Sequence, residues 1–370
     1  MAGVYELPDP VLENILARLD AKALIRCICV SKHWNRLITD PYFMKSRARP
    51  SIIFLAAQKH FDLLLADIND NSMIKLSSTY GPWRSKGHRV FKIIGTINGI
   101  VLFRNLGGAK VGDLMLFNPF TLNYMLLPPA SHGSAYFCKH SVITYNYAYG
   151  FGYGSGTPDD LKIVKFTEYN KGCPDNLCGG SVCEIFSLKE FTWSKPQDMN
   201  IKHIEFETTV GTFLNGFLYW TRYNMDKLIV LDVAKIVLSE IHLPFKRSYG
   251  FRFFGHCSHL GTMHGCLCLL NRSMNDIDYN LWVMNDQADE NSWSIKCSFT
   301  LPEDVNPFYH EFICILDNGR IFMMNKEKLH IYDPSDESYT MTDVSISSND
   351  SIQGIEYVET LVSLSDVCSA

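Results

Sequence analysis

The sequence predicts a small all-α N-terminal domain followed by a large all-β, propeller-like domain. Apolar residues at helical spacing are confined to the first 48 of the 370 residues. After residue 50 the chain consists of short runs of β-branched and aromatic residues bounded by turn residues. Strand–turn–strand units recur there roughly every 50 residues, which is the period of a four-stranded propeller blade.

Three helices are predicted between Leu7 and Phe43. Asp20 and Ser31 are expected to cap the second and third helices, and Pro41 to end the third. The first helix has an apolar stripe, made of Leu7, Val11, Leu12, Ile15, Leu16 and Leu19. A segment this short cannot bury all of its apolar side chains internally. It therefore either caps the following domain or docks on another protein.

This segment resembles the F-box, a family motif of spaced residues. The match comprises Leu7-Pro8, Ile15-Leu16, Arg18-Leu19, Ala21-Lys22-x-Leu24-x-Arg26, Val30, Lys32-x-Trp34, Leu37-Ile38 and Pro41-x-Phe43. Asp20 stands where the family often has Pro, and Ser31 where Cys is common. The resemblance implies binding to a Skp-type adaptor and, through it, to a cullin-RING ubiquitin ligase. It implies five adaptor contacts: Leu7, Pro8, Ile15, Leu16 and Trp34.

The rest of the chain reads as repeated hairpins. Their predicted turns are Asn98-Gly99, Asn215-Gly216, His264-Gly265 and Asn318-Gly319. The predicted blades are 88–130, 140–200, 202–245, 255–302 and 312–346. Residues 51–84 supply three strands, and Ile355–Leu364 is expected to add the fourth and close the ring. This gives six blades, with seven as the alternative.

Several phrases of this region resemble the plant F-box-associated, kelch-like interaction domain. They are GTINGIVLF, LFNPFT, LPPA, YGFGYG and IEYVETLVSL. Gly154 replaces an Asp that the family often has, and the usual kelch and WD signatures are absent. The predicted organisation is an F-box at 1–48, a substrate-recognition propeller at 51–364 and a tail at 365–370.

Charge and cysteine content exclude some classes. The net charge is −5, and no Lys or Arg follows Lys328, so nucleic-acid binding is not expected. The N-terminus has no basic segment followed by an apolar one, and no apolar run approaches the ~20 residues that span a bilayer. The 12 cysteines read as reduced intracellular thiols. The prediction is a cytoplasmic and/or nuclear protein without membrane contact.

Neither a metal site nor a catalytic site is predicted. Cysteines and histidines crowd 173–183 and 257–268, but neither stretch has the paired Cys-x2-Cys spacing of zinc sites. The glycine-rich stretch 150–156 has no G-x-G-x-x-G spacing and lies between strands, so it is not expected to bind phosphate. No nucleophile elbow is present. We therefore expect no cofactor and no enzymatic activity.

An aromatic stripe and four loops are the candidate recognition features. Tyr145, Tyr147, Tyr149, Phe151 and Tyr153 alternate with small residues, which places their rings on one sheet face. Packing between adjacent blades is the favoured interpretation, and a partner-binding patch is the alternative. The long predicted loops are 105–112, 169–182, 272–280 and 285–292.

The leading functional hypothesis is a non-catalytic substrate-recognition subunit of an SCF-type (Skp–cullin–F-box) ubiquitin ligase. The head would bind the adaptor, and the propeller would bind an unidentified protein target. The alternatives are an interaction scaffold that does not promote degradation and, less favoured, a propeller enzyme.

Overall fold

The computed structural model describes most of the chain. The described residues are 7–19, 21–46, 50–57, 61–67, 73–76, 91–106, 113–130, 144–170, 180–199, 204, 206–222, 226–245, 258–272, 278–302, 310–325, 328–345, 352–361 and 363–369.

A helical head occupies residues 7–46. Its helices are α1 (Asp9–Leu16), α2 (Ala21–Ile28), α3 (Lys32–Ile38) and α4 (Pro41–Ser46). Ser31 caps α3 as predicted, because its Oγ accepts a hydrogen bond from the Trp34 backbone N–H at 3.1 Å. The predicted cap Asp20 lies outside the described residues. The prediction of three helices was wrong by one: Pro41 ends α3 but also begins α4, since proline is well accommodated at a first helical position.

All described strands follow the head. They are β1 (Pro50–Ala57), β2 (Phe61–Asp67), β3 (Met73–Leu76), β4 (Phe91–Ile97), β5 (Ile100–Asn105), β6 (Leu114–Asn118), β7 (Asn123–Leu126), β8 (Thr144–Gly154), β9 (Thr157–Asn170), β10 (Gly180–Ser187), β11 (Thr192–Trp193), β12 (Gln197–Asp198), β13 (Thr212–Leu214), β14 (Phe217–Thr221), β15 (Lys227–Asp232), β16 (Val237–His242), β17 (Ser258–Met263), β18 (Cys266–Arg272), β19 (Asp278–Met284), β20 (Trp293–Thr300), β21 (His310–Ile315), β22 (Ile321–Asn325), β23 (Lys328–Asp333), β24 (Ser338–Ser345) and β25 (Ile352–Val358).

These strands form antiparallel sheets arranged as a propeller. Five sheets use consecutive strands, β4–β7, β8–β12, β13–β16, β17–β20 and β21–β24, and one further sheet has the order β25-β1-β2-β3. The inner strands contact one another in the order β4, β8, β13, β17, β21 and β25, and β25 contacts β4. The predicted all-β propeller domain is therefore confirmed.

The C-terminal strand pairs with the N-terminal one. Strand β25 is antiparallel to β1, with Val358 opposite Pro50 and Ile352 opposite Ala56. The predicted strand at Ile355–Leu364 starts and ends earlier, at 352–358. The predicted tail at 365–370 is instead helix α5 (Leu364–Ser369), whose Leu364 is buried against the sheet β4–β7.

The predicted hairpin turns join inner strands to second strands. Asn98, Asn215 and His264, each followed by a glycine, have positive φ of 50°, 47° and 49°, as two-residue hairpins with the twist of the strands require. At Asn318-Gly319 only the glycine has positive φ among the described residues, because the connection from β21 to β22 is longer.

A second kind of turn recurs between the third and fourth strands. Asn118 Oδ1 accepts hydrogen bonds from two backbone N–H groups after β6, and Asp232 Oδ1 does so after β15. In both turns a residue with positive φ follows, Leu122 and Ile236. The Asx side chain fixes each of these turns.

Candidate functional site: the exposed face of the head and the two sides of the propeller

Helix α1 separates its apolar residues onto two faces. Leu12 and Leu16 are buried, whereas Val11 and Ile15 are 46% and 47% exposed. Val11 and Ile15 are four residues apart and therefore share one helical face. Leu7, which precedes the helix, is 52% exposed. The head thus presents aliphatic side chains to solvent beside a filled core.

The five predicted adaptor contacts are distributed over both the surface and the core. Leu7, Pro8 and Ile15 are exposed. Trp34 is half-buried and packs against the head core. Leu16 is fully buried in that core, so it has no surface to offer to a partner.

The structure adds exposed apolar residues that the sequence prediction did not select. Val11 belongs to the predicted stripe, and its spacing from Leu7 and Ile15 was the signal for exposure on the same face. Val30 is 62% exposed and Tyr42 83% exposed. Polar contacts flank α1, where the Asp9 carboxylate lies 2.9 Å from His33 Nε2.

The head core includes residues of the propeller domain. Leu361, which follows β25, is buried in the same cluster as Leu12, Leu16 and Leu24. Phe120, in the turn after β6, packs against this cluster. The Asn118 side-chain amide donates a hydrogen bond to the Thr360 carbonyl at 3.1 Å. The head therefore packs on the turns at one side of the propeller.

This packing defines two sides of the propeller. A chain that crosses a sheet four times returns to its starting side, so successive inner strands begin on the same side. The turns Asn98-Gly99 and Asn215-Gly216 lie on the side that contacts the head, which we call the head side. The opposite side, called the far side, carries the connections between second and third strands and those from one sheet to the next.

The four loops predicted for recognition divide between these sides. The predicted loops 105–112, 169–182 and 272–280 connect second to third strands, whose described ends lie on the far side. Most residues of these loops lie outside the described part of the chain. The loop 285–292 connects β19 to β20 on the head side. It is held by internal hydrogen bonds, including one from Asn285 Nδ2 to the Ser292 carbonyl at 2.7 Å.

The aromatic stripe packs between sheets, which confirms the favoured interpretation. Tyr149 and Phe151 are buried between the sheets β4–β7 and β8–β12, and Tyr147 and Tyr153 pack against the same cluster. The side chain of Tyr145 is outside the described set. The intervening Gly150 leaves room for Leu218 and Trp220 of β14, since a Cβ there would lie 2.6 Å from Leu218 Cδ1.

The described residues offer no group of three or more His, Cys, Asp or Glu side chains placed to hold a metal ion. Cys266 and Cys268 both pack in an apolar cluster, as their alternate positions on β18 predicted. Burial raises the pKa of the Cys183 thiol to about 12, which keeps it protonated and unreactive at neutral pH. Cys173, Cys178 and Cys257 lie outside the described residues.

Within the described chain, no helix is long and apolar enough to cross a membrane.

The architecture defines a class of protein in which a small helical head is joined to a propeller. The F-box domain model matches residues 5–46, and the F-box associated beta propeller domain model matches residues 56–364. The chain belongs to the family of F-box proteins with an F-box associated beta propeller domain.

Relatives in Arabidopsis thaliana align with most of this chain. "F-box protein CPR1" is 25% identical over 88% of this chain and 82% of the relative. "F-box protein At5g49610" is 26% identical over 80% of this chain and 79% of the relative. "F-box/LRR-repeat/kelch-repeat protein At2g27520" is 26% identical over 90% of this chain and 85% of the relative.

Solved structures resemble the chain only distantly. A putative 6-phosphogluconolactonase from Bacteroides uniformis aligns with a TM-score of 0.45 and 11% identity, over 83% of this chain and all of that protein (100%). An oligogalacturonate lyase in complex with manganese aligns with a TM-score of 0.40 and 9% identity, over 78% of this chain and 72% of that protein.

Proposed function

We propose that this chain is the substrate-recognition subunit of an SCF-type E3 ubiquitin ligase. The head binds a Skp-type adaptor, which links it to a cullin-RING ligase, and the propeller binds a protein target. The chain itself is not catalytic. Its contribution is proximity, because holding a target lysine near the activated ubiquitin thioester raises the effective concentration of the reactants.

The exposed aliphatic face of α1 is the observation that carries this proposal. Leu12 and Leu16 already fill the head core together with Leu361, so Val11 and Ile15 are not needed to pack the head on the propeller. Exposed aliphatic residues that share one face of a helix are typical of a helix that docks on a partner. We assign Leu7, Pro8, Val11 and Ile15 to adaptor contact, and give Leu16 and Trp34 a supporting role in the core.

Adaptor co-purification tests this assignment. The full chain and two variants are co-expressed with a Skp-type adaptor and purified through the adaptor. Ile15→Asp places a charge on the proposed contact and should abolish co-purification. Ile295→Asp is the matched control, since Ile295 on β20 is equally exposed at 49%, and it should co-purify like the wild type. Equal recovery of Ile15→Asp and Ile295→Asp would refute the docking assignment.

The finer organisation is part of the same proposal. We assign residues 1–48 to the F-box and 51–364 to the target-binding propeller, with all six sheets acting as blades of one ring closed by β25. The contact of β25 with both β21 and β4 supports this. Binding of neither nucleic acid nor membrane is expected, and the proposed location is cytoplasmic and/or nuclear.

An interaction scaffold that does not promote degradation uses the same adaptor contact. The half-life of the target protein distinguishes the scaffold from the ligase subunit. Captured targets should have longer half-lives when this chain is deleted if it acts in a ligase, and unchanged half-lives if it is a scaffold.

A further inference from the structure

The interface between the sheets β4–β7 and β8–β12 is apolar over part of its length and polar at one end. Its head-side and central part is apolar, with Leu102, Phe151 and Ile163 in one cluster. Toward the far side the facing residues are polar. They are Lys92, Arg104, Tyr147, Tyr149, Lys165 and Glu184, which we call the Arg104 cluster.

Strand register places these side chains on facing surfaces. Lys92 and Arg104 are paired across β4 and β5, so they point to the same side of their sheet. In the neighbouring sheet β8–β12, Tyr149 of β8 pairs with Lys165 of β9, and Lys165 pairs with Glu184 of β10. Six residues from five strands of two sheets therefore meet at one end of one interface.

Arg104 is the centre of the cluster. Its guanidinium carbon lies 4.9 Å from the ring centroid of Tyr147 and 4.8 Å from that of Tyr149. The rings hold the guanidinium by cation–π contact, which uses its flat face and not its N–H groups. The buried Nε of Arg104 has no hydrogen-bond acceptor among the described residues. A buried donor without an acceptor lowers the stability of the fold, so the presence of this donor requires an explanation.

A second buried polar atom without a partner belongs to the sheet face that carries Tyr147. Thr167 pairs with Tyr147 across β8 and β9 and so points to the same side. Thr167 is only 4% exposed, and its Oγ1 has no hydrogen-bond partner in the described structure. The hydroxyl and the guanidinium Nε are both donors, and both would be satisfied by oxygen acceptors between the two sheets.

The charges of the cluster also favour an anion. Lys92, Arg104 and Lys165 are cations, and Glu184 is the carboxylate that pairs with Lys165. Lys165 Nζ lies 3.2 Å from Glu184 Oε2. Burial lowers the pKa of Lys165, and the charge of Arg104 lowers it further, while Glu184 opposes both. Repulsion of this kind is relieved when an anion binds near Arg104.

We propose that the Arg104 cluster binds an anionic oxygen group, a carboxylate or a phosphate, carried by the target protein. This inference rests on the proposed function, in which the propeller holds a target. Guanidinium groups bind both anions through two parallel hydrogen bonds, and the Thr167 hydroxyl adds a third. The cluster lies on the far side, so a target bound there leaves the adaptor-binding head unobstructed.

Direct titration of the full chain tests the site without knowledge of the target. Inorganic phosphate and acetate are each titrated at low ionic strength, and binding is followed by calorimetry and by the melting temperature. Arg104→Met removes the charge and keeps the length of the side chain. Its affinity for the bound anion should fall about tenfold or more, as expected for loss of a charge-assisted hydrogen bond. Thr167→Val should weaken binding by a smaller factor.

Arg320→Met is the matched control. Arg320 Nε already donates to the Asp333 carboxylate at 2.7 Å, and Arg320 precedes β22 on the head side. This variant should bind phosphate and acetate like the wild type. A wild-type response to phosphate alone indicates a phosphorylated target group, and equal responses to both anions indicate an acidic side chain.

The ligand-free variants report whether the arginine has a structural role instead. Arg104→Met should melt at or above the wild-type temperature without anion, because it removes a buried donor that lacks an acceptor. A clearly lower melting temperature would identify a structural cation and overturn the proposal. Anion binding equal to that of wild type in Arg104→Met, or no binding by the wild type, would also overturn it. Adaptor co-purification should be unchanged in Arg104→Met, so failure of this inference is distinguishable from failure of the proposed function.

Discussion

Two adjacent residues of α1 should respond very differently to truncation. Leu16 is fully buried in the head core, whereas Ile15 is 47% exposed. Leu16→Ala removes buried methyl groups and leaves a cavity, which typically costs about 2–5 kcal/mol. Ile15→Ala changes a half-exposed side chain, and surface substitutions usually stay within about 0.5 kcal/mol.

The difference should be visible as unfolding of the head alone. A core of this size rarely supplies more than about 3–5 kcal/mol, so Leu16→Ala removes most of the head's stability. Amide hydrogen exchange of the full chain, read by mass spectrometry, measures the effect segment by segment. We expect protection of α1 and α3 to be lost in Leu16→Ala and kept in Ile15→Ala. Protection of β14 and β18 should be unchanged in both.

Equal loss of α1 protection in the two variants would refute the assignment of Leu16 to the core and Ile15 to the surface. Loss of protection throughout the propeller in Leu16→Ala would show that head and propeller unfold as one unit, although Leu361 and Phe120 are the described propeller residues in the head cluster.

Three further predictions concern the propeller. Gly150→Ala should overpack the β8–β14 contact and lower the free energy of unfolding in urea by about 1–3 kcal/mol. Gly156→Ala is the comparison, because no atom lies within 4 Å of the added Cβ and the substitution adds only the strain of the positive φ. Glu240, whose pKa is lowered chiefly by its hydrogen bond from Lys227, contributes stability at neutral pH that is lost as pH falls through the lowered pKa. Urea midpoints of Glu240→Gln and wild type should therefore approach each other as the pH falls below the ordinary pKa of a glutamate, about 4.3, and a constant difference would contradict this. Deletion of 352–370 removes β25 and should cause aggregation in light scattering, since β1 gains an unpaired edge; a monomeric, fully folded product would contradict ring closure.

Local signals in the sequence predicted much of the fold. Ser31 was recognisable as a helix cap because its side chain needs only the next turn of the chain. The pairs Asn98-Gly99 and Asn215-Gly216 were recognisable as hairpin turns because few other residues tolerate their positive φ. The last apolar run of the sequence predicts the closing strand β25. The predicted bounds, Ile355–Leu364, lie closer to the C-terminus than the observed bounds, Ile352–Val358.

Features that depend on distant contacts were not predictable from local signals. Helix α5 is short and is held by packing of Leu364 on a sheet more than 230 residues earlier in the chain. Ile15 is exposed and Leu16 is buried because α2, α3 and Leu361 pack on the side of α1 that carries Leu16. The Arg104 cluster combines strands from two sheets, and no spacing in the sequence relates Arg104 to Thr167.

Hydroxyl-radical footprinting of the full chain with and without a Skp-type adaptor tests the central claim most directly, because it reports the exposure of individual side chains. We predict that Leu7, Val11 and Ile15 lose reactivity when the adaptor binds, while Val237 and Ile295, which are 56% and 49% exposed on outer strands, keep theirs. Unchanged reactivity of Val11 and Ile15 in an adaptor complex, with protection of propeller residues instead, would contradict the assignment of the head as the docking surface.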